Sequence, residues 1–256
     1  MITSPHNPKV QLVRALLGRP RERREQAAFV VEGVRLVEEA LAAGWPAKYV
    51  LFSETASARG LELVEKIERM GTDVEEVDFH ILQSIGDTET SQGILAVLED
   101  KPLPIPDELT FVLILDQIRD PGNLGTLLRT AAAAGVQAAF LPPETTDPFA
   151  PKVVRAGMGA HFRLPILSLD WEELRDRLKE LWVYLAEMEA ALPCWQADFR
   201  RPLALIVGGE AEGASHQAIE MAREQVRIPM PGKTESLNAA VAGAILMFEV
   251  VRQRDS

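Results

Sequence analysis

Polar side chains that could act on a substrate are concentrated in three loops of the sequence. The loop D-Q-I-R-D-P-G-N-L-G-T-L-L-R contains Asn123 and Arg129, G-G-E-A-E-G-A-S contains Glu210, and I-P-M-P-G-K-T-E-S-L-N contains Ser236 and Asn238. Amide, hydroxyl and carboxylate groups orient ligands by hydrogen bonds, and a guanidinium holds a phosphate or carboxylate with its planar fork. These residue types therefore indicate a site that orients a ligand and holds an anionic group.

Each loop also has a purely structural interpretation. Asn123 could cap the helix that follows it, and Arg129 could extend to solvent along that helix. The glycines of the second loop could form a tight turn before a helix capped by Ser215. The polar pair of the third loop could only mark a helix start. The residue types alone leave both interpretations open.

The third loop contains G-K-T, which resembles the end of a phosphate-binding P-loop. That motif requires a glycine five residues before its last glycine, and Arg227 occupies that position. Pro229 and Pro231 also remove backbone N–H donors. The loop therefore does not predict ATP or GTP binding. It predicts a rigid backbone leading into a helix whose first turn has free N–H groups.

Strands and helices alternate throughout the C-terminal part, and the three loops follow strands. Phe111–Asp116 and Leu203–Val207 are continuous apolar runs, as is typical of strands covered on both faces. Shorter patterns predict strands at 138–141, 182–186 and 226–228, and helices at 124–134, 152–157 and 171–181. This order indicates an α/β domain with a mostly parallel sheet. Ligands bind such sheets beyond the carboxyl ends of the strands, where the three loops lie.

The chain is predicted to end in a long helix that begins at Ser236 and Asn238. Its small residues, Ala239 to Ala244 with one valine, allow another backbone to approach closely, from the same chain or from a second subunit. Its larger apolar residues recur at helical spacing, which predicts that they lie in the core. These are Leu237, Val241, Ile245 and Phe248.

A proline-rich segment divides the chain. Prolines occupy every second position from Pro102 to Pro106, which is typical of a stiff, extended linker. Before it, helices predicted at 34–43 and 61–70 alternate with strands at 49–52, 74–77 and 94–98. The sequence therefore predicts a small α/β domain at 1–100, a linker at 101–110 and a larger domain at 111–256.

The charge distribution is uneven. The whole chain has a net charge of −11, whereas residues 1–35 contain seven basic and three acidic side chains. An arginine cluster on an acidic protein could contact phosphate groups, or it could be a solvated helix end.

Other features exclude several classes of protein. Cys194 is the only cysteine and the four histidines are scattered, so neither a disulfide nor a metal site is predicted. No apolar run is long enough to cross a bilayer, and the N-terminus has no apolar secretory core. We therefore expect a cytoplasmic protein without a membrane partner.

Taken together, the three loops resemble the three motifs of the SpoU/TrmH group of RNA ribose 2′-O-methyltransferases, within the SPOUT superfamily. The matching segments are N-L-G-T-L-L-R, I-V-G-G-E-A-E-G and I-P-M-P-G-K-T-E-S-L-N. In the N-terminal part, F-V-V-E-G-V-R-L-V-E-E-A-L and T-S-Q-G-I-L-A-V are similar to the small, ribosomal-protein-like domain by which many members bind ribosomal RNA.

The resemblance implies a fold, a cofactor and a quaternary structure. The fold is an α/β domain at 111–256 whose C-terminal segment forms a trefoil knot, preceded by an RNA substrate-binding domain at 1–100. The cofactor is S-adenosylmethionine, with no metal, and the protein is a homodimer through the C-terminal helix. Backbone groups at four positions would hold the cofactor in a bent conformation. These are Gly208, Ile228, Met230 and Leu237.

The resemblance also implies catalytic roles. Arg129 would orient the RNA phosphate and help activate the ribose hydroxyl, with Asn123 and Glu210 supporting it. Ser236 and Asn238 would lie where cofactor and substrate meet. Because arginine does not readily lose its proton, positioning and electrostatic activation are favoured over proton abstraction.

RNA contacts are expected from arginines at Arg21, Arg23, Arg24, Arg35 and Arg155. The segment of Arg155 departs from the family, because Gly157 stands where relatives commonly carry serine.

The leading prediction is therefore a ribosomal-RNA ribose methyltransferase. A transfer-RNA methyltransferase is the first alternative, and the N-terminal domain favours ribosomal RNA over it. A catalytically silent RNA-binding protein is the second alternative, and the retained Asn123, Arg129, Glu210 and Asn238 disfavour it.

Overall fold

A computed structural model describes residues 1–86, 91–209, 213–232 and 236–255. The chain divides into two compact units, Met1–Pro102 with Phe149–Phe162 and Leu103–Pro148 with Arg163–Ser256. Within the described ranges, no helix has the length and apolar character needed to span a membrane.

The elements alternate along most of the chain. Up to residue 102 they are α1 (Pro8–Gly18), α2 (Pro20–Gln26), β1 (Ala28–Glu32), α3 (Val34–Ala42), β2 (Ala47–Phe52), α4 (Ala58–Arg69), β3 (Val74–Glu76), α5 (Phe79–Ile85) and β4 (Ile94–Glu99). Beyond it they are β5 (Phe111–Leu115), α6 (Pro121–Ala133), β6 (Ala138–Leu141), α7 (Pro151–Gly157), β7 (Ile166–Ser168), α8 (Trp171–Arg177), β8 (Trp182–Ala186), β9 (Leu192–Pro193), β10 (Leu203–Val207), α9 (His216–Met221), β11 (Glu224–Arg227) and α10 (Ala239–Arg254). Short 3₁₀ helices lie at Ala160–Phe162 and Cys194–Gln196.

The N-terminal unit is built on a mixed four-stranded sheet in the order β1-β4-β2-β3. Strand β4 is antiparallel to both β1 and β2, and β3 is parallel to β2. Helix α1 buries Val10, Val13 and Leu16 in the core of this unit. The small α/β fold expected from the sequence is confirmed for this unit.

A segment from the later part of the chain belongs to the N-terminal unit, although the sequence predicts it within 111–256. The ring of Phe149 lies 4.8 Å from that of Phe29, and Trp45 lies 5.3 Å from Phe162. Helix α7 follows directly after Phe149. These aromatic contacts explain why Phe149–Phe162 packs with residues 1–102.

The second unit is built on a seven-stranded sheet in the order β7-β6-β5-β10-β8-β11-β9, with every paired strand parallel. Strands β5 and β10 are central and fully buried, which confirms the interpretation of their continuous apolar runs. The parallel α/β architecture is therefore confirmed. The carboxyl ends of β5, β8, β10 and β11 all lie along one edge of the sheet.

Helix α10 packs closely against α6 because Gly243 has no side chain. A Cβ atom at Gly243 would lie only 2.4 Å from Leu127 Cδ2, so the glycine lets the two helices approach. The prediction that the larger apolar residues of α10 are core is wrong for two of them. Val241 is 47% exposed and Phe248 is 49% exposed, while Leu237 and Ile245 are half-buried.

Candidate active site

A cavity of about 820 Å³ lies at the carboxyl edge of the parallel sheet. Its size falls within the range of about 300–1,000 Å³ that is usual for small-molecule sites. Its walls come from the loops that follow β8, β10 and β11, and from the first turns of α6 and α10. Seven residues predicted from the sequence line it: Asn123, Gly208, Ile228, Met230, Ser236, Leu237 and Asn238.

The first loop brings Asn123 to the cavity at the start of α6. The expectation that Asn123 caps this helix is wrong, because the helix begins at Pro121 and its cap is Asp120. The Asp120 Oδ1 atom accepts a hydrogen bond from the backbone N–H of Asn123 at 2.7 Å. Proline suits the first helical position because it has no N–H to leave unpaired. The Asn123 side chain is therefore not used for capping its own helix.

The third loop ends at Asn238, which is the cap of α10. Its Oδ1 atom accepts hydrogen bonds from the N–H groups of Ala240 at 2.9 Å and Val241 at 3.2 Å. Its Nδ2 atom donates to Asn123 Oδ1 at 3.0 Å. Ser236 precedes the helix, which corrects the expectation that the helix starts there. One amide thus caps α10 and links it to α6.

The second loop contains two glycines that approach other backbone segments. A Cβ atom at Gly209 would lie 2.7 Å from the carbonyl oxygen of Gln117, and one at Gly208 would lie 3.1 Å from Ala214 Cα. Gly209 forms an antiparallel bridge with Gly213. The glycines therefore close the loop against itself and against the segment after β5. Glu210, predicted to be catalytic, lies outside the described residues.

A buried aspartate that sequence reasoning did not select fixes the second loop. Asp116 follows β5 and is completely buried. Its Oδ2 atom accepts the backbone N–H of Ser215 at 2.7 Å, and Ser215 is the cap of α9, as the sequence suggested. Burial raises the pKa of the Asp116 carboxyl, while the hydrogen bonds from Ser215 lower it. Asp116 thus links the ends of β5 and the second loop.

The end of β8 forms part of the cavity wall, and sequence reasoning missed it. Ala186, Glu187 and Met188 all line the cavity. The strand itself was predicted, and β8 lies between β10 and β11 in the sheet. The general rule that ligands bind beyond strand ends could have identified this turn, but it has no glycine, proline or other motif that marks a site.

Arg129 does not line the cavity. It lies on the exposed face of α6, together with Gly122 and Thr126. Among the residues that the structure describes, it has no hydrogen-bond or ion-pair partner. The guanidinium is therefore available to a ligand larger than the cavity holds.

The arginines predicted to contact RNA lie in the N-terminal unit. Arg21, Arg24 and Arg35 are exposed, and Arg21 pairs with Glu25 at 2.6 Å. Arg155 is half-buried on α7.

The RNA-binding prediction is wrong for Arg23. This residue is 6% exposed, and its Nη1 atom donates to the carbonyl oxygens of Leu16 and Leu17 near the end of α1. It satisfies carbonyl groups that would otherwise lack partners at a helix end, so its role is structural.

The fold and the cavity define a class of protein: an α/β protein with a ligand-sized cavity where loops of a parallel sheet converge. The chain belongs to the SpoU rRNA Methylase family, whose model matches residues 110–248. An MRM3-like substrate binding domain matches residues 7–96. The family identified from the three loops is therefore confirmed.

Three similar proteins cover nearly the whole chain. The 23S rRNA (guanosine(2553)-2′-O)-methyltransferase RlmP of Bacillus subtilis is 34% identical, over 97% of this chain and 98% of its own. The crystal structure of an AdoMet-bound rRNA methyltransferase from Sinorhizobium meliloti has 32% identity and a TM-score of 0.86, covering 98% of this chain and 97% of that one. The SpoU methyltransferase AviRb from Streptomyces viridochromogenes, crystallised with AdoMet, has 28% identity and a TM-score of 0.90, covering 98% and 99%.

Proposed function

We propose that this protein transfers a methyl group from S-adenosylmethionine to a ribose 2′-hydroxyl of ribosomal RNA. The observation that carries the proposal is the convergence of seven predicted residues, from three loops far apart in sequence, on one cavity. The family match and the names of the relatives support the reaction, and the substrate-binding domain supports RNA as the substrate.

The residues around the cavity fit this cofactor. Val207, Val226 and Leu246 provide apolar walls for a purine ring, and the wall also contains Asn123, Ser236 and Asn238, which are hydrogen-bonding side chains. We assign the backbone at Gly208, Ile228, Met230 and Leu237 to holding the cofactor in a bent conformation. When bound, the cofactor supplies a methyl group activated by a sulfonium.

Arg129 is assigned to the RNA rather than to the cofactor. Its exposed guanidinium would hold a phosphate beside the target ribose and lower the pKa of the 2′-hydroxyl through its positive charge. Proton abstraction by this arginine is disfavoured, since its guanidinium remains protonated. Asn123, Glu210, Ser236 and Asn238 would orient the ribose for in-line attack, because positioning alone contributes much of such a rate enhancement.

The N-terminal unit is assigned to RNA binding. Arg21, Arg24 and Arg35 are its exposed candidates for phosphate contacts, together with Arg155 on α7. This assignment predicts RNA affinity that falls steeply with salt, because bound counterions are released when arginines contact phosphates. A flat salt dependence would contradict it.

We infer a homodimer through α10, as the resemblance implies. In the second unit, the large apolar side chains of Trp195, Val241 and Phe248 are each about half exposed. A second, shallower groove of about 400 Å³ is lined by Trp195, Pro229, Pro231 and Ile245, and it shares Ile228, Met230 and Leu237 with the cavity. A second copy would cover this apolar surface. The trefoil knot and a cytoplasmic location are likewise carried over from the resemblance and the composition.

The reaction is tested by incubating the protein with labelled S-adenosylmethionine and ribosomal RNA from cells that lack the modification, followed by mapping of 2′-O-methylated nucleotides. Unmodified transfer RNA serves as the comparison substrate. Methylation of ribosomal RNA at a discrete ribose is expected. Methylation only of transfer RNA would replace the proposed substrate, and cofactor binding without transfer to either RNA would indicate the catalytically silent alternative.

A further inference from the structure

One acidic side chain in the cavity wall has no role in the proposed reaction. Glu187 follows β8, is half-buried and lines the cavity. Among the described lining residues, Asp120 is the other acidic one, and it already caps α6. Burying part of a carboxylate beside apolar strand ends is unfavourable unless hydrogen bonds compensate for it. Glu187 can therefore accept hydrogen bonds from a ligand that carries donors.

Two hydrogen bonds orient Glu187 in the described structure. Its backbone N–H donates to the carbonyl oxygen of Val226 on β11 at 2.9 Å, which aligns the β8 turn with the next strand. Its Oε1 atom accepts the N–H of Met188 at 2.9 Å, which fixes the carboxylate. The Oε2 atom accepts no hydrogen bond from any residue in the described ranges. The carboxylate thus keeps acceptor capacity at a fixed point of the cavity wall.

The position of β8 in the sheet separates Glu187 from the catalytic residues. Strand β10 lies between β5 and β8, and neighbouring strands are about 4.8 Å apart, so the β8 end is roughly 10 Å from the β5 end. Asn123 enters the cavity from the β5 side. Glu187 instead stands beside Ala186 and Val226, which are apolar wall residues. Glu187 therefore lies on the β8 side of the cavity, away from the side at which Asn123 enters.

We propose that Glu187 binds the two ribose hydroxyls of the cofactor's own nucleoside. Vicinal hydroxyls are paired donors that suit a single carboxylate, and an acidic side chain after a strand binds ribose hydroxyls in other α/β nucleotide sites. The inference rests on the proposed function, since it assumes an adenosine-containing cofactor in this cavity. Glu187 acts as a residue that determines cofactor affinity and does not take part in methyl transfer.

Calorimetric titration with three ligands tests this assignment on the full-length protein. The ligands are S-adenosylmethionine, S-adenosylhomocysteine and 5′-methylthioadenosine; the last keeps the ribose but lacks the amino-acid chain. Glu187→Gln retains an acceptor for the Met188 N–H, and it is expected to raise the Kd of all three ligands by a similar factor of about 10 to 100, as for loss of a hydrogen bond to a charged group. Glu189→Gln, at the exposed neighbouring glutamate, is the matched control and should leave all three unchanged.

Each of the other possible outcomes would contradict a specific part of the assignment. A loss confined to S-adenosylmethionine and S-adenosylhomocysteine, which carry the α-amino group of the amino-acid chain, would overturn the ribose assignment in favour of that α-amino group. A loss larger for the sulfonium than for the uncharged thioether would assign Glu187 to charge attraction instead. Unchanged affinities in Glu187→Gln would exclude Glu187 from the site altogether. Wild-type protein that binds none of the three ligands would contradict the proposed function itself.

A second variant distinguishes a lost ligand contact from a folding defect. Glu187→Asp keeps the negative charge but shortens the side chain by one methylene, so its carboxylate no longer reaches the same position. It is expected to lower the affinity for all three ligands, as Glu187→Gln does. The unfolding temperatures of both ligand-free variants should match that of the wild type. Full affinity in Glu187→Asp would contradict a contact that depends on position.

Discussion

The side chains of Asn123 and Asn238, which are 115 positions apart in sequence, are joined by a hydrogen bond of 3.0 Å between Asn238 Nδ2 and Asn123 Oδ1. The bond connects the first turn of α6 to the cap of α10 at the wall of the cavity. Because the Asn238 amide also caps α10, its orientation is fixed from both sides. Two residues selected from separate motifs thus form one rigid pair.

A double-mutant cycle measures the coupling free energy between Asn123 and Asn238. Asn238→Ala is expected to destabilise the protein by about 1 kcal/mol through the lost cap, and Asn123→Ala by less. The double variant should show a coupling free energy of about 0.5–1.5 kcal/mol in urea unfolding, because either single change already removes the bond. A parallel cycle of Asn238→Ala with Thr130→Ala, at a half-buried residue further along α6, should be additive. Additivity in the first cycle would show that the bond contributes nothing.

Arg129→Ala is expected to separate binding from catalysis. Since Arg129 does not line the cavity, the Kd for S-adenosylmethionine in calorimetry should match that of the wild type. Methyl transfer to ribosomal RNA should fall by at least about 100-fold, because the variant lacks the charge proposed to activate the hydroxyl. Arg175→Ala, at an exposed arginine on α8, is the control and should retain full activity. Normal turnover in Arg129→Ala would remove Arg129 from the mechanism.

The buried carboxylate of Asp116 predicts an unusual pH dependence of stability. Burial raises its folded-state pKa above the unfolded value, so its stabilising contribution is complete below the unfolded pKa and is lost as the pH rises through the folded pKa. Asp116→Asn is neutral at all pH values and keeps an acceptor for the Ser215 N–H. It should unfold at the same or a higher temperature than the wild type at pH 7, with the difference shrinking towards acidic pH. Asp116→Ala should lose about 1–3 kcal/mol, because the N–H of the half-buried Ser215 loses its partner.

Asp198 provides a control, because its contribution to stability should change with pH in the opposite direction. The hydrogen bond from Arg201 lowers the pKa of the Asp198 carboxyl, so its contribution is present above the unfolded pKa and lost as the pH falls. Asp198→Asn should therefore be no more stable than the wild type at pH 7, with the two converging in acid. A marked loss of stability in Asp116→Asn at neutral pH would contradict the assignment of Asp116 as a carboxylate destabilised by burial.

The sequence was sufficient for most of the strands and for seven of the residues that line the cavity, because those features depend on local patterns. It did not predict β1, β7 or β9. Continuous apolar runs identified β5 and β10, and the rule that ligands lie beyond strand ends then selected the loops that hold Gly208 and Asn238. The link between Asn123 and Asn238 could not be predicted, since it depends on how closely α6 and α10 pack at Gly243. Glu187 was missed because its turn carries no residue that marks a loop.

Burial was harder to predict than secondary structure. Arg23 looks like its exposed neighbours in sequence, and only the fold brings it to the carbonyl groups at the end of α1. Phe149 joins the N-terminal unit through a contact with Phe29, 120 positions earlier, which no local pattern encodes. Val241 and Phe248 have the helical spacing of core residues, and a pattern of this kind does not distinguish a core from an interface between subunits.

The exposed face of α10 leads to a prediction about assembly. Phe248→Asp places a charge on the apolar surface proposed to contact a second copy, so the variant should be monomeric by light scattering at concentrations where the wild type is dimeric. Arg177→Asp, at an exposed site on α8, should remain dimeric. Because Ile228, Met230 and Leu237 line both the cavity and the adjoining groove, the monomeric variant should also bind S-adenosylmethionine more weakly. A monomeric wild type, or a Phe248→Asp variant that stays dimeric, would refute the assignment of this face.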